Sequence, residues 1–161
     1  MKYKSLIITL LLLPYCALAQ MAQNQTLIHN LTALIKQKDN YTKQKERKIK
    51  ETIDLLRVPN ASAEQRYAIN QRLFDEFKTY ISDSAVYYVK ENIRIAEELQ
   101  KTDLQNDSRL SLASLYIISG NYLDAADLLR AIDKEQLQEP QLIQYYNCYL
   151  NLYNNYAFNN P

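Results

Sequence analysis

The sequence predicts an all-α fold: antiparallel helix pairs stacked as a short solenoid, preceded by one long helix. Three observations predict it. Only one glycine and four prolines occur in 161 residues, so the chain lacks the punctuation that tight hairpins and phosphate loops require. Apolar side chains recur at steps of three and four along most of the chain, the period of one helix face. Around the single glycine, large, small and aromatic residues are spaced as two paired helices would need them.

The first residues read as an address. Lys2 and Lys4 precede an apolar run from Ser5 to Leu13, Pro14 breaks it, and Ala17-Leu18-Ala19 supplies the small-x-small pattern of a cleavage site. Residues 1–19 are expected to be a secretory signal, and the run is too short to span a bilayer. Cys16 offers a lipoprotein site, but bulky Tyr15 stands where such sites take a small residue, so the expectation is an exported, periplasmic chain rather than a lipid-anchored one. Cleavage after Ala19 would move the side-chain balance from +1 to −1 and leave Cys148 as the only cysteine. A lone cysteine forms no intramolecular disulfide, so an apolar core must hold the chain, with Cys148 as a small packed residue.

The long helix is expected over residues 20–58. Leu27, Ile28, Leu31, Leu34 and Ile35 recur at helical spacing, and Ile49, Ile53 and Leu56 resume it. Between them lies a wet, basic stretch: Lys36 to Lys50 contains seven basic and two acidic residues. Tyr41 is its one aromatic residue, too few to stack successive bases, so nucleic-acid contact by this region is not expected. Val58-Pro59-Asn60 stops the helix.

Helical repeats are expected over residues 61–158. Ser62 can cap a helix that carries Glu64 and Gln65 in its first turn and Tyr67, Leu73, Phe74, Phe77, Tyr80 and Ile81 along one face. Asp83-Ser84 reads as the cap of the next helix, with Val86, Val89, Ile93, Ala96 and Leu99 at steps of three and four. Thr102 to Ser108 reads as a polar turn region. Arg109 to Ser119 is helical, Gly120-Asn121 breaks it, and Tyr122 to Ile132 continues as another helix. Pro140 opens a last helix with Ile143, Tyr146, Tyr149, Leu150 and Tyr153 on one side.

The most specific signal is the set Leu112, Ala113, Tyr116, Gly120, Tyr122, Ala125, Leu129 and Ile132. Ala113 and Ala125 are small where paired helices approach, Tyr116 and Leu129 fill the space between them, and Gly120 can adopt the left-handed conformation that ends the first helix. This set resembles a tetratricopeptide repeat. Weaker copies flank it. Leu73, Phe74 and Phe77 with Ala85 and Val89 form an upstream pair that lacks a glycine at its turn. Tyr146, Tyr149, Leu150 and Tyr153 form a downstream first helix without its partner. The expected fold is therefore a tetratricopeptide-like solenoid of about two and a half repeats.

A wider resemblance covers residues 27 to 156. It rests on Tyr41-Thr42-Lys43-Gln44-Lys45-Glu46-Arg47-Lys48-Ile49, Gln65-Arg66-Tyr67, Leu73-Phe74-Asp75-Glu76-Phe77, Asp83-Ser84-Ala85-Val86-Tyr87-Tyr88, Ile95-Ala96-Glu97-Glu98-Leu99, Ser108-Arg109-Leu110-Ser111-Leu112-Ala113 and Tyr145-Tyr146. These segments are similar to the N-terminal part of a family of Bacteroides-type transcriptional regulators. The resemblance implies an exported sensor region followed, in the family, by one membrane helix, a coiled coil and a cytoplasmic DNA-binding domain. No membrane helix or output domain follows within the 161 residues, so the mature chain is expected to contain no membrane span.

Repeats of this kind stack to present a surface for a peptide or protein segment. In the last helix Gln144, Asn147, Asn151 and Asn154 fall at steps of 3, 4 and 3. Their amides both donate and accept hydrogen bonds, as pairing with a peptide backbone requires. They are the candidate peptide-contacting residues. The equivalent face of the middle repeat, Leu110, Ser114 and Ile117, is more apolar and could serve as a contact surface or equally be buried by a neighbouring helix. The tyrosines of the last helix would stand exposed, which favours self-association or fraying there.

The sequence shows no catalytic constellation. His29 is the only histidine, no histidine or cysteine pair stands ready for zinc, and no nucleophile elbow or phosphate loop occurs. No cofactor or metal is expected, and an enzyme is not. The favoured function is protein or ligand sensing as the periplasmic part of a membrane-bound regulator. The alternative is a free-standing periplasmic adaptor for assembly of an envelope complex.

Overall fold

The computed structural model describes residues 2–79 and 82–159, with side chains described for 25–79 and 83–158. The signal segment 1–19, Cys16 and its lipoprotein reading, the apolar positions Tyr80 and Ile81, and the terminal Asn159-Asn160-Pro161 lie outside the described side chains. The helices are α1 (Lys2–Leu56), α2 (Ala63–Phe77), α3 (Ser82–Glu98), α4 (Thr102–Ile118), α5 (Tyr122–Arg130) and α6 (Glu139–Asn159), with a 3-10 turn at Lys134–Gln136. No strand occurs among the described residues.

The chain divides into two units, residues 1–47 and 48–161. In the first, Leu27, Ile28, Leu31, Leu34 and Ile35 are all more than half exposed, and His29 is exposed with them. In the second, the last turns of α1 join the repeat: Ile49 is buried with Leu73, Phe74 and Phe77 of α2, Ala85 and Val89 of α3, and Leu112 and Leu115 of α4. Lys48 adds an ion pair to Glu76. Asn60 takes a left-handed backbone, φ 65°, where the chain turns out of α1. Ser62 then caps α2 in a reciprocal box: its hydroxyl accepts from the Gln65 N–H at 3.2 Å, and Gln65 Oε1 accepts from the Ser62 N–H at 2.9 Å.

The structure corrects two readings of the chain between α2 and α4. Asp83 does not cap α3 but stands in its first turn. There its charge still opposes the positive end of the helix dipole. Thr102 to Ser108 is not a turn: α4 starts at Thr102. The turn lies just before it and has no glycine. Gln100 adopts φ 55°, the Lys101 N–H bonds to the Ala96 carbonyl at 3.0 Å and the Gln100 N–H to the Glu97 carbonyl at 3.0 Å. Gly120 ends α4 in the same way, at φ 81°, with Asn121 N–H to Tyr116 O at 2.8 Å and Gly120 N–H to Ile117 O at 3.2 Å. Both are left-handed helix stops of the Schellman type.

Helix α4 is the hub. It packs against α3, α5 and α6. One of its faces, Leu112 and Leu115, closes the core shared with α2 and α3. Another, Leu110, Ala113 and Ile117, closes a second core with Ala125, Leu129, Ile132, Cys148 and Leu152. Ala113 and Ala125 have no exposed surface, which lets α4 and α5 approach with no side chain wedged between them. Tyr116 packs against both cores. The pairs α2–α3 and α4–α5, followed by the unpaired α6, therefore follow the repeat pattern.

Candidate binding surface

Helix α6 carries the candidate contact residues, and its docking decides which of its faces is free. The helix starts just ahead of Pro140, whose fixed φ and missing N–H suit a first turn. Gln141 anchors that turn. Its Oε1 accepts from the Gln138 N–H at 3.3 Å, and its Nε2 donates to the Asp103 carbonyl at 2.9 Å and to Asp107 Oδ1 at 2.7 Å. One turn of α6 is thus tied to the first turns of α4.

Farther along, Cys148 and Leu152 are buried in the second core. The Cys148 sulfur lies 3.2 Å from Ser114 Oγ, and Ser114 Oγ donates to the Leu110 carbonyl at 3.0 Å. Burial pushes the Cys148 thiol above its ordinary pKa, with the Ser114 hydrogen bond opposing. The thiol is accordingly a packing group with little thiolate character at neutral pH. The face Leu110, Ser114 and Ile117 of α4 is covered by α6 and is no contact surface.

The packed face of α6 is Gln141, Tyr145, Cys148 and Leu152, at steps of 4, 3 and 4. This differs from the side marked by the large apolar residues. Ile143, Tyr146, Leu150 and Tyr153 are each more than half exposed. The docked face was hard to read because two of its four members are a glutamine and a cysteine. The 4-3-4 step was the signal that could have found it.

Tyrosines link the two faces. Tyr145 and Tyr149 meet edge-to-face at 5.0 Å, Tyr149 and Tyr153 stack at 6.1 Å, and Tyr122 of α5 meets Tyr156 edge-to-face at 5.8 Å. Burial, and then the hydrogen bond with Tyr145, push the Tyr149 hydroxyl up to about 12. The candidate residues Asn147, Asn151 and Asn154 are exposed, and Gln144 is half-buried beside them. They form one amide stripe along α6. The repeat-defining residues Leu112, Ala113, Ala125 and Leu129 are buried, Tyr116 and Tyr122 are half-buried, and Gly120 is exposed at its turn. These residues build the scaffold.

Open grooves occur elsewhere. One of about 490 Å³ lies at the α1–α2 turn, lined by Leu55, Val58, Pro59, Ile69 and Arg72 among others. Another, of about 460 Å³, is lined by Lys90 of α3, Tyr116 of α4 and Asp124 and Asp127 of α5 among others. No group of His, Cys, Asp or Glu among the described residues could hold a metal ion, and no helix among them is long and apolar enough to cross a membrane.

Successive antiparallel helix pairs, with small residues at the crossings and a left-handed stop between helices, define a tetratricopeptide-like helical repeat domain. Residues 35–161 match the family described as the SusR N-terminal TPR domain. The chain belongs to that family. No curated protein and no solved structure matches the chain.

Proposed function

We propose that the chain senses a protein or ligand outside the cytoplasm as the periplasmic part of a membrane-bound transcriptional regulator. The observation that carries this reading is the family match over residues 35–161, which relates the chain to the N-terminal domain of a SusR-type regulator. Helical repeats of this type are scaffolds for protein binding, and the N-terminal address read from Lys2, Lys4 and Ala17-Leu18-Ala19 supports export. The partner contact is assigned to Gln144, Asn147, Asn151 and Asn154. Among these, Asn147, Asn151 and Asn154 are exposed, and their amides suit an extended backbone. No catalytic residue, cofactor or metal belongs to this function.

The test is comparative capture from envelope extracts. The native chain and an Asn147→Ala/Asn151→Ala variant are immobilised side by side. A partner recovered by the native chain and lost by the variant supports the amide stripe. Equal recovery rejects it. Export is tested separately by fusing residues 1–35 to a reporter that is active only outside the cytoplasm.

A further inference from the structure

The exposed side of α6 has the spacing of a helix–helix seam. Ile143, Tyr146, Leu150, Tyr153 and Ala157 follow one another at steps of 3, 4, 3 and 4. These are the a and d positions of two heptads. All five are exposed. The docked residues Gln141, Cys148 and Leu152 fall at c and f positions, on the far side of the helix. α6 therefore packs by one face and leaves an uninterrupted apolar seam on the other.

Its chemistry selects the occupant. No charged residue occurs from Pro140 to Asn159. Heptad helices choose a different partner by charges at e and g. Here those positions hold Asn147 and Asn154 at e, and Tyr149 and Tyr156 at g. An amide offers both a donor and an acceptor, so this edge complements a copy of itself and repels nothing. At about 200 Å² per large side chain, the exposed parts of Ile143, Tyr146, Leu150 and Tyr153 amount to roughly 470 Å². That is more than half of the roughly 800 Å² per partner of a standard interface, before the asparagines and Tyr156 at the edges are added.

We propose that two copies of the chain associate through this seam, α6 against α6, in a two-fold dimer centred near Leu150. The proposal does not rest on the regulator reading, and because Asn147 and Asn154 edge the seam, a second copy bound there covers part of the amide stripe assigned to the partner.

Sedimentation velocity on the full chain at rising concentration tests it. The native chain is expected to dimerise. Leu150→Glu places an unpaired charge at the centre of the seam and is expected to weaken the dimer at least about a hundredfold, with the helical circular dichroism unchanged. Leu31→Glu, on the exposed stripe of α1, is expected to leave the dimer intact. A native chain that stays monomeric overturns the proposal. So does a dimer that survives Leu150→Glu or is abolished by Leu31→Glu, which would place association on α1. Should Leu150→Glu unfold the chain, cross-linking decides. Leu150→Cys in a Cys16→Ser background is expected to form a disulfide between copies, because the remaining Cys148 is buried. Absence of that link under oxidising conditions overturns the proposal.

Discussion

The Tyr67 hydroxyl of α2 lies 3.0 Å from Ser108 Oγ of α4 and 3.2 Å from the Leu104 carbonyl. One phenol therefore joins first helices of successive repeats across their polar flank. Burial raises the Tyr67 pKa above the ordinary tyrosine value, with the Ser108 hydrogen bond opposing. Ser108 has almost no exposed surface, so removing its partner leaves a buried hydroxyl unsatisfied. Tyr67→Phe is expected to cost about 1–3 kcal/mol in urea unfolding. A variant as stable as the native chain would show that this contact does not join the repeats.

The two left-handed helix stops make a matched pair of predictions. A methyl at Gly120 would meet nothing within 4 Å, so Gly120→Ala is strained by its φ of 81° alone. It is expected to destabilise by about 1 kcal/mol. Gln100 holds the same conformation with a side chain, and Gln100→Gly is expected to stabilise by about 0.5–1 kcal/mol after the added freedom of the unfolded chain is counted. Thermal melts of both variants check the pair. Shifts of the same sign would contradict the shared geometry.

Asn92 of α3 has no exposed surface, and neither its Oδ1 nor its Nδ2 has a hydrogen-bond partner. A buried amide without partners opposes folding, and an apolar group of like shape does not. Asn92→Leu is expected to be neutral or to stabilise by about 1 kcal/mol. A loss of stability in denaturant unfolding would reveal a partner for that amide.

Alkali should loosen α6. Tyr149 has a pKa raised from 10.0 to about 12, so the folded chain favours the neutral phenol. Its contribution is complete below pH 10 and is lost as pH rises through about 12. The melting temperature is expected to fall across that window, and Tyr149→Phe is expected to flatten part of the fall. An identical pH profile for both chains would contradict the assignment.

How much of this was legible depended on which residues mark each feature. Ser62 with Gln65, the Ala113–Ala125 crossing and the Gly120 stop each announce themselves by residue type. The α3–α4 turn does not. Gln100 carries no left-handed signal, and the polar run that follows it reads as a loop until the buried contacts of Ser108 and of Gln141 with Asp103 and Asp107 are seen. The candidate surface was legible as a stripe of amides but not as a free face. Which side of α6 docks is decided by Gln141 and Cys148, whose burial follows from partners on α4 rather than from their own hydrophobicity.

The central claim is that α6 docks on α4 by the Cys148 face and presents the opposite one. Ser114 and Cys148 meet across that contact at 3.2 Å. Placing a thiol at Ser114 tests it most directly, using Ser114→Cys in a Cys16→Ser background under mild oxidation. The predicted result is an intramolecular disulfide with Cys148, seen as loss of both free thiols in a fully helical chain with no covalent link between copies. Two thiols that stay unpaired under those conditions, with the helices intact, would contradict the packing on which the surface depends.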